Sequence, residues 1–194
     1  MDAITLLTAD HNRVRGLFAR WQEAHEGEDQ ELMQTLAQEI FTELQVHTTI
    51  EEEIFYPRVK DANDEVSELV DEGYEEHHVA KTLMEEMQTL EPGSDQWVAK
   101  MTVLIEAVEH HAEEEESEMF PQLRSACGPD VLEPMVGELE ERKRSLGAPV
   151  TEDKIDLTKE ELTQLAKEQQ IPGRSKMDQE ELAATVAPTT PGSG

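Results

Sequence analysis

Two segments of the chain repeat the same unusual combination of a histidine, a glutamate and a proline. The segments are HTTIEEEIFYP at residues 47–57 and HAEEEESEMFP at residues 111–121. In both, the glutamate follows the histidine by four residues and the proline follows it by ten. Residues four apart lie on one face of a helix, and imidazole with carboxylate is a ligand set that suits iron, manganese or zinc. The repeat predicts two matching halves of one dinuclear metal site, built from His47 with Glu51 and His111 with Glu115.

Two other histidines, His11 and His77, occur in a second pair of matching contexts. Each follows an acidic residue and precedes two apolar residues, six and seven positions further on. This match selects His77 over its neighbour His78, whose predicted helix face is acidic. The alignment on the prolines likewise selects His111 over His110.

Helices have to position these residues, and the sequence is rich in helix formers. Strand-like alternation is nearly absent, while Ala, Leu, Glu, Gln, Lys and Met dominate. The breaks predict four long helices over roughly 2–25, 29–61, 64–90 and 95–126, and a shorter fifth near 130–145. Short connections between long helices favour antiparallel neighbours, so we expect an all-α, up-down four-helix bundle. Pro57 and Pro121 fall in the last turns of two long helices, where we expect them to kink or stop the helix.

Helical phase places one histidine on the apolar face of each long helix. These are His11, His47, His77 and His111. Taken alone, a histidine on an apolar face is usually a hydrogen-bonded core residue. Glu51 and Glu115 change that interpretation, because an unpaired buried carboxylate costs several kcal/mol or takes up a proton. No lysine or arginine shares these faces at the same level, so we expect metal cations to balance the two negative charges.

With the phenylalanine and proline that end both repeats, residues 1–146 resemble the hemerythrin-like family of HHE cation-binding domains. The resemblance implies a four-helix bundle that holds a non-haem, carboxylate-bridged di-iron centre, with manganese or zinc as alternative metals. It implies terminal ligands from His11, His47, His77 and His111, and bridging ligands from Glu51 and Glu115. Ferritin-like bundles use Glu-x-x-His instead, so the order His-x-x-x-Glu separates the two classes.

One position departs from the oxygen-carrying members of that family. They have a fifth histidine one turn before the ligand of the third helix, where this chain has Gly73. We expect Tyr74 or a nearby glutamate to supply a substitute ligand, or water to fill the position. Open positions on redox-active iron favour reaction with O2, H2O2 or NO, including catalase-like consumption of peroxide, over reversible oxygen carriage. An iron or oxygen sensor and a metal-binding protein without turnover are the alternatives.

The composition limits the partners that the chain can have. Its 194 residues include 16 Lys+Arg and 45 Asp+Glu, and the net charge of −29 disfavours binding to nucleic acid or anionic membranes. Cys127 is the only cysteine, as expected in a reducing compartment. The N-terminus lacks the basic and apolar regions of a signal peptide, and no apolar run approaches the ~20 residues of a membrane span. We therefore expect a soluble, cytoplasmic protein.

The sequence after the bundle divides into three parts. Residues 147–155 are expected to form a linker, residues 156–187 a small helical module and residues 188–194 a disordered tail. Capping boxes predict two short helices in the module, one opened by Thr158 with Glu161 and one by Asp178 with Glu181.

The stretch IPGRSKM in this module makes it resemble the SAP-like helix–loop–helix at the N-terminus of transcription termination factor Rho. That resemblance implies contact with nucleic acid, for which Arg174 and Lys176 in the loop are the candidate phosphate-binding residues. Residues 151–194 hold five basic and nine acidic residues, however. This balance favours docking onto protein, or a merely tethered hairpin, over DNA binding.

Overall fold

The computed structural model describes residues 1–62, 66–148, 150–151 and 157–187. All regular secondary structure in these residues is helical, as the sequence predicts. The α-helices are α1 (Ala3–Glu26), α2 (Gln30–Ile50), α3 (Tyr56–Ala62), α4 (Ser67–Gln88), α5 (Asp95–Glu114), α6 (Phe120–Ala126), α7 (Gly128–Ser145), α8 (Lys159–Glu168) and α9 (Gln179–Thr185). Two π-helical turns, Glu51–Phe55 and Glu115–Met119, join α2 to α3 and α5 to α6 without a break.

Helices α1, α2, α4 and α5 form the four-helix bundle. α1 packs along α2 and α4 packs along α5, and the two pairs meet through α1 with α5 and α2 with α4. The start of α1 shares an apolar cluster with the end of α2, while the second half of α1 shares another with the first half of α2. Neighbouring helices therefore run antiparallel, and the all-α architecture predicted from the sequence is confirmed. α7 corresponds to the predicted fifth helix and packs on α1 and α2.

Side-chain caps fix the start of three of the four long helices. Asp2 accepts a hydrogen bond from the N–H of Thr5 at 2.8 Å, Asp29 from that of Leu32 at 3.1 Å, and Ser94 from that of Trp97 at 3.3 Å. Each cap satisfies a backbone N–H group that the first helical turn leaves without a partner.

Pro57 and Pro121 do not stop their helices, contrary to one of the outcomes expected from the sequence. Each is the second residue of an α-helix that follows a π-helical turn. In these turns the N–H of Tyr56 donates to the carbonyl of Glu51, and the N–H of Phe120 donates to the carbonyl of Glu115. The extra residue in the turn re-aims the carbonyl groups ahead of the proline, whose ring would clash with a regular helix. Both turns begin at the glutamate of the repeated segment.

Two apolar layers enclose the middle of the bundle. One layer contains Phe55, Met119 and Leu139, at the end where α1 begins. The other contains Trp21 and Met101, towards the opposite end. The predicted site residues lie on the four long helices between these layers, so the fold holds a polar layer between two apolar ones.

Helices α8 and α9 form the predicted helix–loop–helix, and both predicted capping boxes are present. This C-terminal hairpin has a small core of its own that includes Leu162, Ile171 and Leu182. α9 also packs on α1. Beside this contact, a Cβ atom added to Gly16 of α1 would lie 2.5 Å from the carbonyl oxygen of Gln169. The hairpin is therefore docked on the bundle, and the close approach requires glycine at position 16.

Part of the predicted linker packs against the bundle as well. Val150 and Thr151 are buried, and the N–H of Thr151 donates to Oε1 of Glu140 at 3.0 Å. Residues 149 and 152–156, and the predicted tail at 188–194, lie outside the described residues. None of the described helices combines the length and the hydropathy that crossing a membrane requires.

Candidate metal centre

The six residues predicted as ligands meet in the middle of the bundle, and all six are buried. Their histidines form two pairs, each between neighbouring antiparallel helices. Nε2 of His11 lies 3.0 Å from Nε2 of His47, and Nε2 of His77 lies 3.0 Å from Nε2 of His111. The two halves of the bundle thus present two equivalent pairs of nitrogen atoms to the same interior space.

A carboxylate lies against the outer ring nitrogen, Nδ1, of each histidine. The distances are 2.9 Å from His11 to Glu116, 2.9 Å from His77 to Glu52, 2.7 Å from His111 to Glu76 and 3.7 Å from His47 to Asp10. Because an ionised carboxylate only accepts hydrogen bonds, the three Nδ1 atoms at 2.7–2.9 Å donate to it. In the neutral imidazole the lone pair is then on Nε2 and faces the interior.

The facing nitrogen atoms suit either a shared proton or a common metal ion. The two Nε2 atoms of each pair are 3.0 Å apart. At this distance their lone pairs repel each other unless they share a proton or bind a cation. Metal–nitrogen bonds of about 2.1 Å place two adjacent ligands of an octahedral ion about 3 Å apart. The observed separation therefore matches neighbouring ligands on one ion in each pair.

Each buried glutamate contacts one histidine of each pair. Oε2 of Glu51 lies 3.2 Å from Nε2 of His47 and 3.3 Å from Nε2 of His77. Oε2 of Glu115 lies 3.3 Å from Nε2 of His11 and 3.8 Å from Nε2 of His111. Among the described residues, both carboxylate oxygens of Glu51 and Oε2 of Glu115 lack a hydrogen-bond partner. Two carboxylates in these positions can each link two cations, so the donor set fits a dinuclear centre.

Protons and metal cations compete for this cluster. Burial alone would lower the pKa of His11 and His77, but the hydrogen bonds and charges of neighbouring glutamates outweigh it and raise the two pKa values to about 10 and about 9. Burial would raise the pKa of Glu115, yet the positive charge of the surrounding imidazoles holds it well below its usual value. The cluster therefore draws in positive charge, and a metal ion has to displace protons to bind.

A buried ionic network lies behind His47. Asp10 is 2% exposed and accepts hydrogen bonds from Arg13 and from Lys143, which reaches it from α7. Arg13 also donates to Oε2 of Glu43 at 3.0 Å. Arg13 is two residues from His11 and Lys143 belongs to α7, so neither shares a helix face with the predicted ligands. The sequence-based expectation covered only those faces and did not extend to these two cations. Both buried cations pair with Asp10, whereas the contacts of Glu51 and Glu115 are with the imidazoles and with Tyr56.

The space beside Gly73 is filled by Tyr56 rather than by Tyr74. A Cβ atom added to Gly73 would lie 2.8 Å from the hydroxyl oxygen of Tyr56. That hydroxyl donates to Oε1 of Glu115 at 2.9 Å and lies 3.4 Å from Nε2 of His77. Tyr74 instead donates to the carbonyl oxygen of Glu52 at 3.2 Å, outside the cluster. Of the alternatives that the sequence left open for this position, Tyr74 therefore lies outside the cluster, and Tyr56 is the phenol of the site.

Sequence reasoning also missed the carboxylates that orient the histidines. The missed residues are Asp10, Glu52, Glu76 and Glu116, and each is adjacent in sequence to a predicted ligand. That adjacency was an available signal, because a residue next to a ligand on one helix can reach the ligand of the neighbouring helix. The two rejected histidines, His78 and His110, are exposed, as their predicted helix faces indicated.

An all-α bundle with four buried imidazoles facing two buried carboxylates defines a cation-binding helical protein. Comparison with known families agrees: residues 2–123 match the family described as Hemerythrin HHE cation binding domain, and the chain belongs to that family. The match ends before the C-terminal hairpin, so the likeness of residues 156–187 to the Rho module stays a prediction.

A DNA nickase from Nostoc sp. (strain PCC 7120 / SAG 25.82 / UTEX 2576) is 27% identical over 146 residues, which are 75% of this chain. The aligned part covers 40% of that relative, so this chain spans well under half of the relative's length. No solved structure matches the chain.

Proposed function

We propose that the chain binds two iron ions, linked by Glu51 and Glu115, and reacts there with O2, H2O2 or NO. The observation that carries this proposal is the contact of each glutamate with one histidine of both pairs, at 3.2–3.8 Å. Mixed imidazole and carboxylate donors suit iron, and manganese or zinc are the alternatives for the same donor set.

When bound, the iron pair supplies the open coordination positions and the electrons for the reaction. The protein supplies the rest. The carboxylates that accept from Nδ1 fix the ring orientation and tautomer of His11, His77 and His111. The hydroxyl oxygen of Tyr56 lies 2.9 Å from Oε1 of Glu115 and donates a hydrogen bond to that atom. Burial together with the charge of Glu115 raises the pKa of Tyr56 well above the usual value. In the metal-free protein Tyr56 is therefore protonated, and it donates this hydrogen bond to Glu115.

A small cavity supports this class of substrate. It has a volume of about 20 Å³ and is lined by all four histidines. Such a volume admits about one water-sized molecule, which suits a small substrate such as O2, NO or H2O2. The remaining wall is largely apolar, with Val14, Phe18, Leu44, Ala80 and Val108. An apolar wall favours O2 and NO over the more polar H2O2.

The reaction is tested by rapid mixing of the anaerobic, iron-loaded protein with O2, NO or H2O2 in parallel. We expect turnover or adduct formation with O2 or NO in the wild type, and its loss in His47→Ala. His78→Ala is the matched control, because His78 is exposed on the outer face of α4. Iron loading without reaction towards any of the three molecules would favour metal binding without turnover.

One observation favours a second candidate function, sensing of metal or oxygen through the C-terminal hairpin. Arg13 donates from Nη1 to the carbonyl oxygen of Ala184 in α9 at 3.1 Å, while its Nη2 contacts Asp10 behind His47. Polar contacts thus lead from the hairpin to Asp10, whose Oδ2 lies 3.7 Å from Nδ1 of His47. A sensor predicts that iron binding changes the rate at which protease cleaves the segment around residues 147–156, without turnover of a small molecule.

Nucleic-acid contact through the hairpin stays a weaker proposal. The name of the relative from Nostoc raises it, but the chain's net charge of −29 opposes approach to a phosphate backbone. In the loop, Nη1 of Arg174 already donates to the carbonyl oxygen of Ile171 at 2.9 Å. Retarded migration of a labelled DNA or RNA oligonucleotide, lost in Lys176→Glu, would support this proposal.

A further inference from the structure

Equivalent carboxylates in the two halves of the bundle, Asp10 and Glu76, differ in their cationic partners. Asp10 and Glu76 each precede a histidine of the site and each lie against Nδ1 of the next one. Asp10 is compensated by Arg13 and Lys143. Among the described residues, no lysine or arginine pairs with Glu76. The second half of the centre therefore keeps an uncompensated negative charge at its outer edge.

The residues next to Glu76 offer further ligand atoms. His110 and Glu114 repeat the His-x-x-x-Glu spacing one residue out of phase with the buried pair, and Nε2 of His110 lies 3.3 Å from Oε1 of Glu114. Glu76, His110 and Glu114 each place one ligand atom within 4.8 Å of the other two. The positions equivalent to His110 and Glu114 in the first half are Val46 and Ile50, which are buried.

The exposure of this group suits transient binding. The side chains of Glu76, His110 and Glu114 are 22%, 66% and 34% exposed. One imidazole and two carboxylates leave several coordination positions to water, and such a site releases its ion readily.

A small cleft is lined by two residues of this group, Glu76 and Glu114, and by two residues of the buried centre, His111 and Glu115. Its walls include the exposed or half-buried side chains of Glu72, Glu76 and Glu114 and the buried residues Gly73, His111 and Glu115. Glu115 is 2% exposed, and its Oε2 has no hydrogen-bond partner among the described residues. The cleft thus leads from carboxylates at the surface to an unpartnered buried carboxylate.

We propose that Glu76, His110 and Glu114 form a second, weaker divalent-cation site, which captures metal ions at the surface and delivers them along this cleft to the buried centre. The capture site stands on its own geometry, while its role in delivery rests on the proposed function. Carboxylates at the mouth of a low-dielectric cleft concentrate cations there and accelerate their capture.

The capture site is tested by counting bound Mn2+ from the electron paramagnetic resonance signal of the free ion. We expect the double variant His110→Ala with Glu114→Gln to bind one Mn2+ fewer than the wild type. Glu75→Gln with His78→Ala is the matched control, because it removes the same groups from an exposed part of α4. The control should bind as many ions as the wild type, and circular dichroism checks that each variant is folded.

Delivery is tested by the rate at which the anaerobic chain makes Fe2+ inaccessible to a chromogenic chelator. At low ionic strength we expect about tenfold slower uptake of Fe2+ in His110→Ala with Glu114→Gln. The final amount of iron that the chelator cannot reach should be unchanged, because that iron is in the buried centre. Added salt should shrink the difference, because it screens exposed charges.

The outcomes separate this proposal from the proposed function. Equal Mn2+ counts in the wild type and in His110→Ala with Glu114→Gln would overturn the capture site. Equal rates of iron uptake would overturn its role in delivery. Failure of the buried centre would appear instead as equal counts in the wild type and in Glu51→Gln with Glu115→Gln. In that case, a lower Mn2+ count in His110→Ala with Glu114→Gln than in the wild type would support the surface site alone.

Discussion

The hydroxyl of Tyr56 donates a 2.9 Å hydrogen bond to Oε1 of Glu115 and at the same time fills the space beside Gly73. Because its oxygen is held in place, it has little room to yield to a new neighbour. We predict that Gly73→Ala destabilises the metal-free protein by about 1–3 kcal/mol. The loss should be smaller when Gly73→Ala is made in a Tyr56→Phe background, where the clashing oxygen is gone.

Urea denaturation of the wild type, both single variants and the double variant measures this coupling. We expect the two substitutions to be non-additive by about 1 kcal/mol, since the altered atoms touch. Strict additivity would mean that Tyr56 does not define the space beside Gly73.

The buried network around Asp10 predicts a pH-dependent stability. Burial would raise the pKa of Asp10, but the charges of Lys143 and Arg13 outweigh it and hold the pKa well below 3.8. A carboxyl group whose pKa is lowered by folding stabilises the folded protein at pH values above its ordinary pKa. This stabilisation is lost as the pH falls towards the pKa of the group in the folded state. We predict that Asp10→Asn lowers the free energy of unfolding of the metal-free protein by about 3 kcal/mol at pH 7.

The difference between Asp10→Asn and the wild type should shrink when unfolding is measured at pH 3. Asp71→Asn serves as the control, because Asp71 pairs with Lys60 at the surface and its side chain is 67% exposed. A difference that stays constant between pH 7 and pH 3 would show that the charge of Asp10 does not contribute.

The carboxylate behind His77 should tune metal affinity. Glu52 contacts Nδ1 of His77 at 2.9 Å and is itself held by Lys81. Without this carboxylate the His77 ring is less firmly oriented and its Nε2 is less basic. Glu52→Gln is therefore expected to lower metal affinity about 10- to 100-fold. Competition with a chelator of known affinity measures the change. Glu53→Gln is the control, since Glu53 faces outward and pairs with Arg142; equal affinities in both variants would argue against the role of Glu52.

Docking of the C-terminal hairpin should depend on Gly16. The Cβ atom of an alanine there would lie 2.5 Å from the carbonyl oxygen of Gln169 and 2.9 Å from Cδ1 of Ile171. We predict that Gly16→Ala displaces the hairpin and speeds its cleavage by protease, while metal stoichiometry is unchanged. Gly137→Ala is the control, because nothing lies within 4 Å of its added Cβ. Unchanged protection in Gly16→Ala would mean that the hairpin does not need this contact.

The core of the site could be predicted from the sequence because it obeys the period of a regular helix. His47 and Glu51 lie one turn apart on an apolar face, and the same rule placed His111 with Glu115. Tyr56 could not be found in this way. It lies just past a π-helical turn, where the regular period no longer tells which face a residue occupies.

Contacts between distant segments were likewise beyond a helical-period argument. Lys143 reaches Asp10 from α7, and Gln169 approaches Gly16 from the C-terminal hairpin. The sequence predicted the helices involved, including both capping boxes of the hairpin. It could not predict how they dock, because no local pattern pairs a residue on one helix with a partner more than a hundred positions away.

The most direct test of the dinuclear centre is the metal content of protein produced in iron-replete medium, measured by mass spectrometry together with the optical spectrum. The proposed function predicts two iron ions per chain, and near-ultraviolet bands of a bridged pair. Both should be lost in Glu51→Gln and in Glu115→Gln, and both should be kept in Glu53→Gln. A folded wild-type protein without stoichiometric metal, or with one ion that survives both substitutions, would contradict a centre bridged by Glu51 and Glu115.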